Sequence, residues 1–164
     1  MKTKVKKFMS MKSIPLLVLA LLIVFGTALA ASHEPVSGTG EAFLDIAALP
    51  PQANGTVNLI IGGEEFPASF TLSMSDMAWK DGVLHVTASH TFTFCNGTIT
   101  TTDKGIGEPT ETPGLLTLNE NLTIVSGTDD LEGACGELRV HGQIQFVGET
   151  TAQVSFEVRG AICR

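Results

Sequence analysis

Apolar and polar residues alternate along almost the whole chain beyond its first 30 residues. This period of two is typical of β-strands that bury one face, and nothing after residue 40 shows the period of a helix. Glycine, proline and asparagine turns separate eight such segments, a spacing typical of a sandwich or an up-and-down barrel. The predicted strands are 40–47, 56–61, 66–74, 83–95, 98–104, 115–125, 137–147 and 151–162.

The longest alternating stretch, residues 83–104, is interrupted by Asn96-Gly97. Asn-Gly favours a two-residue type I′ turn between two strands. A turn at these two residues would pair His90 with Asp103 on the apolar face of the hairpin. The sequence therefore predicts an imidazole facing a carboxylate inside the protein.

Glu120 falls on the inward face of the next predicted strand, where a loop of about ten residues would bring it near Ile99. A buried carboxylate beside an imidazole can orient and charge a general base. We therefore take His90, Asp103 and Glu120 as candidate catalytic residues. In the alternative interpretation, His90 is a hydrogen-bonded core histidine and Asp103 already belongs to a loop.

The first 30 residues have the features of an export signal. Five lysines lie within residues 2–12, an apolar run covers 14–25, and Ala28-Leu29-Ala30 is a small-x-small cleavage site. We predict a signal peptide at 1–30, a flexible lead-in at 31–39 and a β-barrel domain at 40–164. The mature protein is expected to be secreted, outside the cell or in the periplasm.

Removal of the signal would make the remaining chain strongly acidic. Five of the ten basic residues lie in the signal, which leaves five basic against 17 acidic residues and a formal net charge of −12. Nucleic acids and anionic membranes attract basic surfaces. Neither is expected as a partner, and no membrane association is predicted after cleavage.

Three cysteines, Cys95, Cys135 and Cys163, lie in a chain predicted to be exported, where disulfides persist. If the last hairpin turns through residues 148–150, Cys135 faces Cys163 at a separation suited to a disulfide. We favour this pairing, with Cys95 free. A Cys95–Cys135 bridge and three reduced cysteines remain the alternatives.

Residues 124–138 read I-V-S-G-T-D-D-L-E-G-A-C-G-E-L. This segment resembles the I-x-G-G-T-G-x-F-x-G-A-x-G stretch of the allene oxide cyclase and dirigent-like β-barrels, with Ser126 and Asp129 in place of glycines. The resemblance implies a calycin-like, eight-stranded antiparallel barrel. Both enzyme groups use tyrosine in their sites and this chain has none. The matching positions are Ile124, Gly127, Thr128, Leu131, Gly133, Ala134 and Gly136.

We therefore predict an all-β protein, an eight-stranded antiparallel β-barrel preceded by a signal peptide. The inward faces are rich in Phe, Leu and Val, which favours a non-catalytic barrel that binds a small apolar ligand or serves as an exported structural or interaction module. Phe92, Phe94 and Leu118 are the predicted ligand-binding residues. The alternative is a cofactor-free cyclase or isomerase that uses the three acid–base candidates. No cofactor is predicted, and no cysteine or histidine cluster has the spacing of zinc ligands.

Overall fold

The computed structural model describes residues 32–163, which form a closed barrel of eight antiparallel strands in chain order, with the last strand paired to the first. The predicted barrel is confirmed. The predicted signal peptide lies outside the described residues. A short 3-10 helix, Asp129–Leu131, lies between β6 and β7. The strands are β1 (His33–Asp45), β2 (Gln52–Ile61), β3 (Glu64–Lys80), β4 (Val83–Phe94), β5 (Gly97–Pro109), β6 (Leu115–Gly127), β7 (Cys135–Phe146) and β8 (Thr151–Cys163).

Residues 33–39, predicted as a flexible lead-in, form the first half of β1. This strand pairs with β2, where Val36 faces Ile61, and with β8, where His33 faces Cys163. The prediction was wrong because Val36 is the only large apolar residue in the segment, so the alternation is hidden. Pairing along both edges of β1 orders the segment and closes the barrel. Among residues 32–163, no helix is long and apolar enough to cross a membrane.

Asn54 and Gly55 come just before the predicted start of the second strand at residue 56, but both lie inside β2. A β-carbon on Gly55 would meet the Phe70 ring, and one on Gly40 of β1 would meet the Phe156 ring. Glycine is required at these inward positions because the aromatic rings occupy the space that a β-carbon would fill. The Asn-Gly pair thus marks a close approach of ring to backbone and not a hairpin.

The inward side chains form two apolar clusters, one in each half of the barrel. The alternation predicted that each strand buries one face, and in β3, β4, β6, β7 and β8 the apolar side chains of one face are buried or partly buried. Four buried polar residues lie in the interior with them: His90, Thr101, Asp103 and Glu120. The half that contains the 46–51, 81–82 and 110–114 connections is lined by Leu44, Ala53, Leu72, Met74, Leu84, Ala88, Leu116, Ile144 and Ala152.

The β4–β5 hairpin has a different register from the predicted one. Its turn residues are Cys95 and Asn96, so Ala88 and not His90 lies opposite Asp103. The shift from the predicted pairing is two residues. Because side chains alternate with a period of two, a shift of two leaves every residue on its predicted face.

A β-bulge in β3 changes which residues point inward. Met74 is the last inward residue of the predicted strand, and the register shifts between Met74 and Asp76. The extra residue, Ser75, moves the inward face from even to odd positions, because a bulge places two residues opposite one. Met77 and Trp79 therefore line the interior at the end of the barrel.

A disulfide joins Cys135 and Cys163, which lie directly opposite each other on β7 and β8 with a Cα–Cα distance of 5.1 Å. Cys95 is free and exposed. The preferred cysteine pairing is confirmed. It follows from the final hairpin, whose register is the one that the alternation of residues 137–162 predicts.

Candidate functional site

His90 and Asp103 meet in the middle of the barrel. The imidazole Nδ1 lies 2.9 Å from Asp103 Oδ2, and the two side chains are 7% and 0% exposed. They are diagonal neighbours on β4 and β5, and diagonal cross-strand residues are within reach of long side chains. The His90 ring stacks on Phe92, with the planes 11° apart, and its centroid lies 5.4 Å from that of Phe70. Aromatic packing therefore fixes the orientation of the imidazole.

Glu120 joins this pair from β6. It lies opposite Gly105 of β5 and not near Ile99, where the sequence placed it. The Glu120 side chain packs over Gly105, where a β-carbon would lie 3.4 Å from Glu120 Cβ and Cγ. One ligand atom from each of His90, Asp103 and Glu120 lies within 4.8 Å of the others. The structure thus brings the three candidate residues together in one cluster.

The electrostatics of this cluster are dominated by burial. Asp103 Oδ1 is buried and has no hydrogen-bond partner among the described residues. Burial raises the pKa of Glu120 from 4.5 to about 7; the charge of His90 lowers it and the charge of Asp103 raises it further. A carboxyl group with such a pKa holds and releases a proton near neutral pH.

A cavity of about 100 Å³ extends from this cluster to one end of the barrel. His90 and Glu120 form its polar floor, and its walls are almost entirely aliphatic and aromatic. Of the predicted ligand-binding residues, Phe92 and Leu118 line the cavity. Phe94 is buried in the apolar cluster of the other half.

The sequence did not predict the two residues at the cavity mouth, Met77 and Trp79, which are 37% and 56% exposed. Both lie beyond the bulge, where the predicted strand had ended. A hairpin signal was present, because Asp81-Gly82 is a two-residue turn that pairs Trp79 with Leu84. Extending the strand backwards from that turn would have placed both side chains inside.

A second, larger depression of about 1060 Å³ lies on the outer wall of the barrel. Its lining mixes outward polar and charged side chains, among them Glu41, His141 and Glu157, with glycine and apolar residues, and it contains none of the three clustered residues. An open depression on the outer wall lacks the enclosure and the convergent polar groups of a ligand site. The interior cavity is therefore the candidate site.

The fold and the site together define the class of this protein. It is a closed antiparallel barrel with an apolar cavity and a buried His–Asp–Glu cluster at the cavity floor. No protein-family model and no curated protein matches the chain. Among solved structures, the chain is similar to the pterocarpan synthase dirigent protein GePTS1. The TM-score is 0.36 at 10% identity, over 81% of this chain and 92% of that chain. The pairing of β1 through β8 in this chain identifies the barrel without that comparison.

Proposed function

We propose that the barrel binds a small, mainly apolar molecule that carries one polar group, with no covalent chemistry. The observation that carries this proposal is the apolar cavity with His90 and Glu120 at its floor. Ligand pockets typically combine apolar walls with a few polar groups that orient the ligand. A hydroxyl or carbonyl group of a ligand would supply a hydrogen bond to the floor while the rest of the ligand covers apolar walls.

The cavity volume limits the size of the occupant. About 100 Å³ is of the same order as the engineered 150 Å³ cavity that admits benzene. One ring or a short branched chain would therefore fill the enclosed part. A longer molecule would continue past the mouth, where Met77 and Trp79 present exposed apolar surface.

We further propose that the protein is exported and works outside the cytosol. The disulfide between Cys135 and Cys163 supports this proposal, because such bonds persist in oxidising compartments. The basic and apolar sequence of residues 1–30 supports it as well.

Ligand binding can be followed through the protein's own fluorescence. Trp79 is the single tryptophan and the chain has no tyrosine. We expect toluene and phenol, which are nearly equal in size, to shift the Trp79 emission to shorter wavelength. Phenol should bind more tightly by about 2- to 13-fold, because one net hydrogen bond contributes about 0.5–1.5 kcal/mol.

A matched pair of variants locates the binding. Ala42 lines the cavity, so Ala42→Leu should fill most of it and abolish the emission shift. Ala78 lies between Met77 and Trp79 on the opposite face of β3, so Ala78→Leu should leave both affinities unchanged. An unchanged affinity in the Ala42 variant, or no shift with either probe, would contradict the proposal.

A second candidate function is favoured by the position of Glu120, which lies beside His90 at the cavity floor, where burial raises its pKa to about 7. A general base is most effective when its pKa lies near the working pH. In this function, Glu120 would remove a proton next to the carbonyl of a bound ligand, and the His90–Asp103 pair would stabilise the enolate. Such a cluster could catalyse isomerisation without a cofactor.

Cyclohexanone in deuterated water tests this function, since its ring fits the cavity and exchange of its α-protons is visible by NMR. General-base catalysis accelerates such steps by roughly 10²–10⁴-fold. We expect at least a hundredfold faster exchange with the wild type than with Glu120→Gln. Equal rates for the two proteins would exclude Glu120 as a base.

A further inference from the structure

We propose that His90, Asp103 and Glu120 form a binding site for one divalent transition-metal ion at the floor of the cavity. The inference goes beyond ligand binding and holds whether or not the cavity admits an apolar molecule. It rests on three observations: the convergence of the three side chains, an unpartnered oxygen of Asp103, and the absence of a nearby basic side chain.

The first observation is the size of the cluster. The three ligand atoms lie within 4.8 Å of one another. A point therefore exists within about 2.8 Å of all three, whereas zinc bonds to nitrogen and oxygen are about 2.0–2.2 Å long. Small side-chain rotations would close that difference. Each of the three adjacent strands β4, β5 and β6 contributes one ligand.

The second observation is the state of Asp103. Its side chain is fully buried, and Oδ1 has no hydrogen-bond partner among the described residues, although Oδ2 contacts His90. An unsatisfied buried carboxylate oxygen destabilises the folded state. A cation held between Asp103 and Glu120 would give that oxygen a partner.

The third observation is the distribution of positive charge. Within residues 32–163, every lysine and arginine side chain is exposed, namely Lys80, Lys104, Arg139 and Arg159. None of them can reach the interior to balance the two buried carboxyl groups. Buried charges are paired or coordinate metals, and among the described residues His90 is the one basic side chain in contact with these carboxyl groups.

The donor set narrows the choice of ion. A site with one imidazole nitrogen and two carboxylate oxygens suits Zn²⁺, Mn²⁺ or Fe²⁺. It suits Ca²⁺ and Mg²⁺ less well, because these ions prefer ligands that are all oxygen. Three protein ligands leave at least one position open, as in catalytic zinc sites. Since His90 and Glu120 line the cavity, the open position would face it and could receive an oxygen of a ligand.

The test uses the untagged protein, stripped with a chelator and then given Co²⁺, whose visible absorption reports coordination. We expect one equivalent of Co²⁺ per chain, displaced by Zn²⁺, and a rise in the melting temperature with metal concentration. The near-isosteric variants Asp103→Asn and Glu120→Gln should each weaken Co²⁺ binding at least about a hundredfold, the upper end of the loss for a supporting residue. Circular dichroism checks that both remain folded.

His33 and Cys95 are exposed and could each bind Co²⁺ on their own, so His33→Ala and Cys95→Ser serve as controls. Both should keep the absorption band and its stoichiometry. Failure of the wild type to retain Co²⁺ would overturn the proposal. Retention of the band in both carboxylate variants, or its loss in either control, would overturn it as well.

Discussion

Removal of the Cys135–Cys163 disulfide by a double substitution to alanine is expected to lower the free energy of unfolding by about 3–4 kcal/mol. The two residues are 28 positions apart, and closing a loop of that length restricts the unfolded chain by this amount. The bond also joins the start of β7 to the end of β8, next to the β1–β8 pairing that closes the barrel. Urea unfolding of the wild type and the double variant measures the difference.

Cys95 provides the matched control for this prediction. It is free and exposed in the β4–β5 turn, so Cys95→Ser should change the free energy of unfolding by less than about 0.5 kcal/mol. The wild type in reducing agent should match the double variant. A double variant as stable as the oxidised wild type would show that the disulfide does not stabilise the barrel.

The face of the sheet on which each side chain lies could be predicted from the sequence, because within a regular strand it depends only on whether the residue number is odd or even. The β4–β5 hairpin shows how far this goes. The predicted turn was one residue too late, so every predicted pair was wrong by two positions. His90 and Asp103 nevertheless meet, because an even shift preserves the face and diagonal neighbours are within reach.

The position of Glu120 shows the same principle in another strand. Its inward face was predicted from alternation, but its neighbour is Gly105 and not Ile99. The prediction assumed a connection of about ten residues after residue 104, whereas β5 continues to Pro109 and the loop is short. Strand length depends on pairing partners, which a single sequence does not reveal.

The cavity mouth could not be predicted from the alternation of β3 alone, because it depends on the bulge at Ser75; only the Asp81-Gly82 turn, which pairs Trp79 with Leu84, carried a signal for it. One extra residue changes the parity of β3, and Met77 and Trp79 turn inward as a result. Alternation within one strand gives no warning of such a change. The early start of β1 was missed for a related reason, since residues 33–39 are ordered by two neighbouring strands and not by their own apolar content.

The wild type is expected to lose stability as the pH rises from 4.5 to about 7, and replacing Glu120 by glutamine is expected to remove this loss. Burial raises the pKa of Glu120 to about 7 in the folded protein, against its ordinary value of 4.5. The folded state therefore binds more protons than the unfolded state between these pH values, and stability falls as pH rises through this range. The contribution is complete below pH 4.5 and is lost above pH 7. A difference of this size corresponds to about 3 kcal/mol, at 1.36 kcal/mol per pKa unit.

Urea unfolding at pH 4 and pH 8, in the presence of a chelator, tests this prediction. From pH 4 to pH 8, the stability of Glu120→Gln relative to the wild type should rise by about 3 kcal/mol, because glutamine keeps its shape and cannot ionise. Glu137 is exposed on the outer face of β7, so Glu137→Gln should follow the wild type at both pH values. If Glu120→Gln also follows the wild type, then the Glu120 carboxylate is solvated or paired in the folded protein, and the apolar surroundings inferred for the cavity floor are wrong.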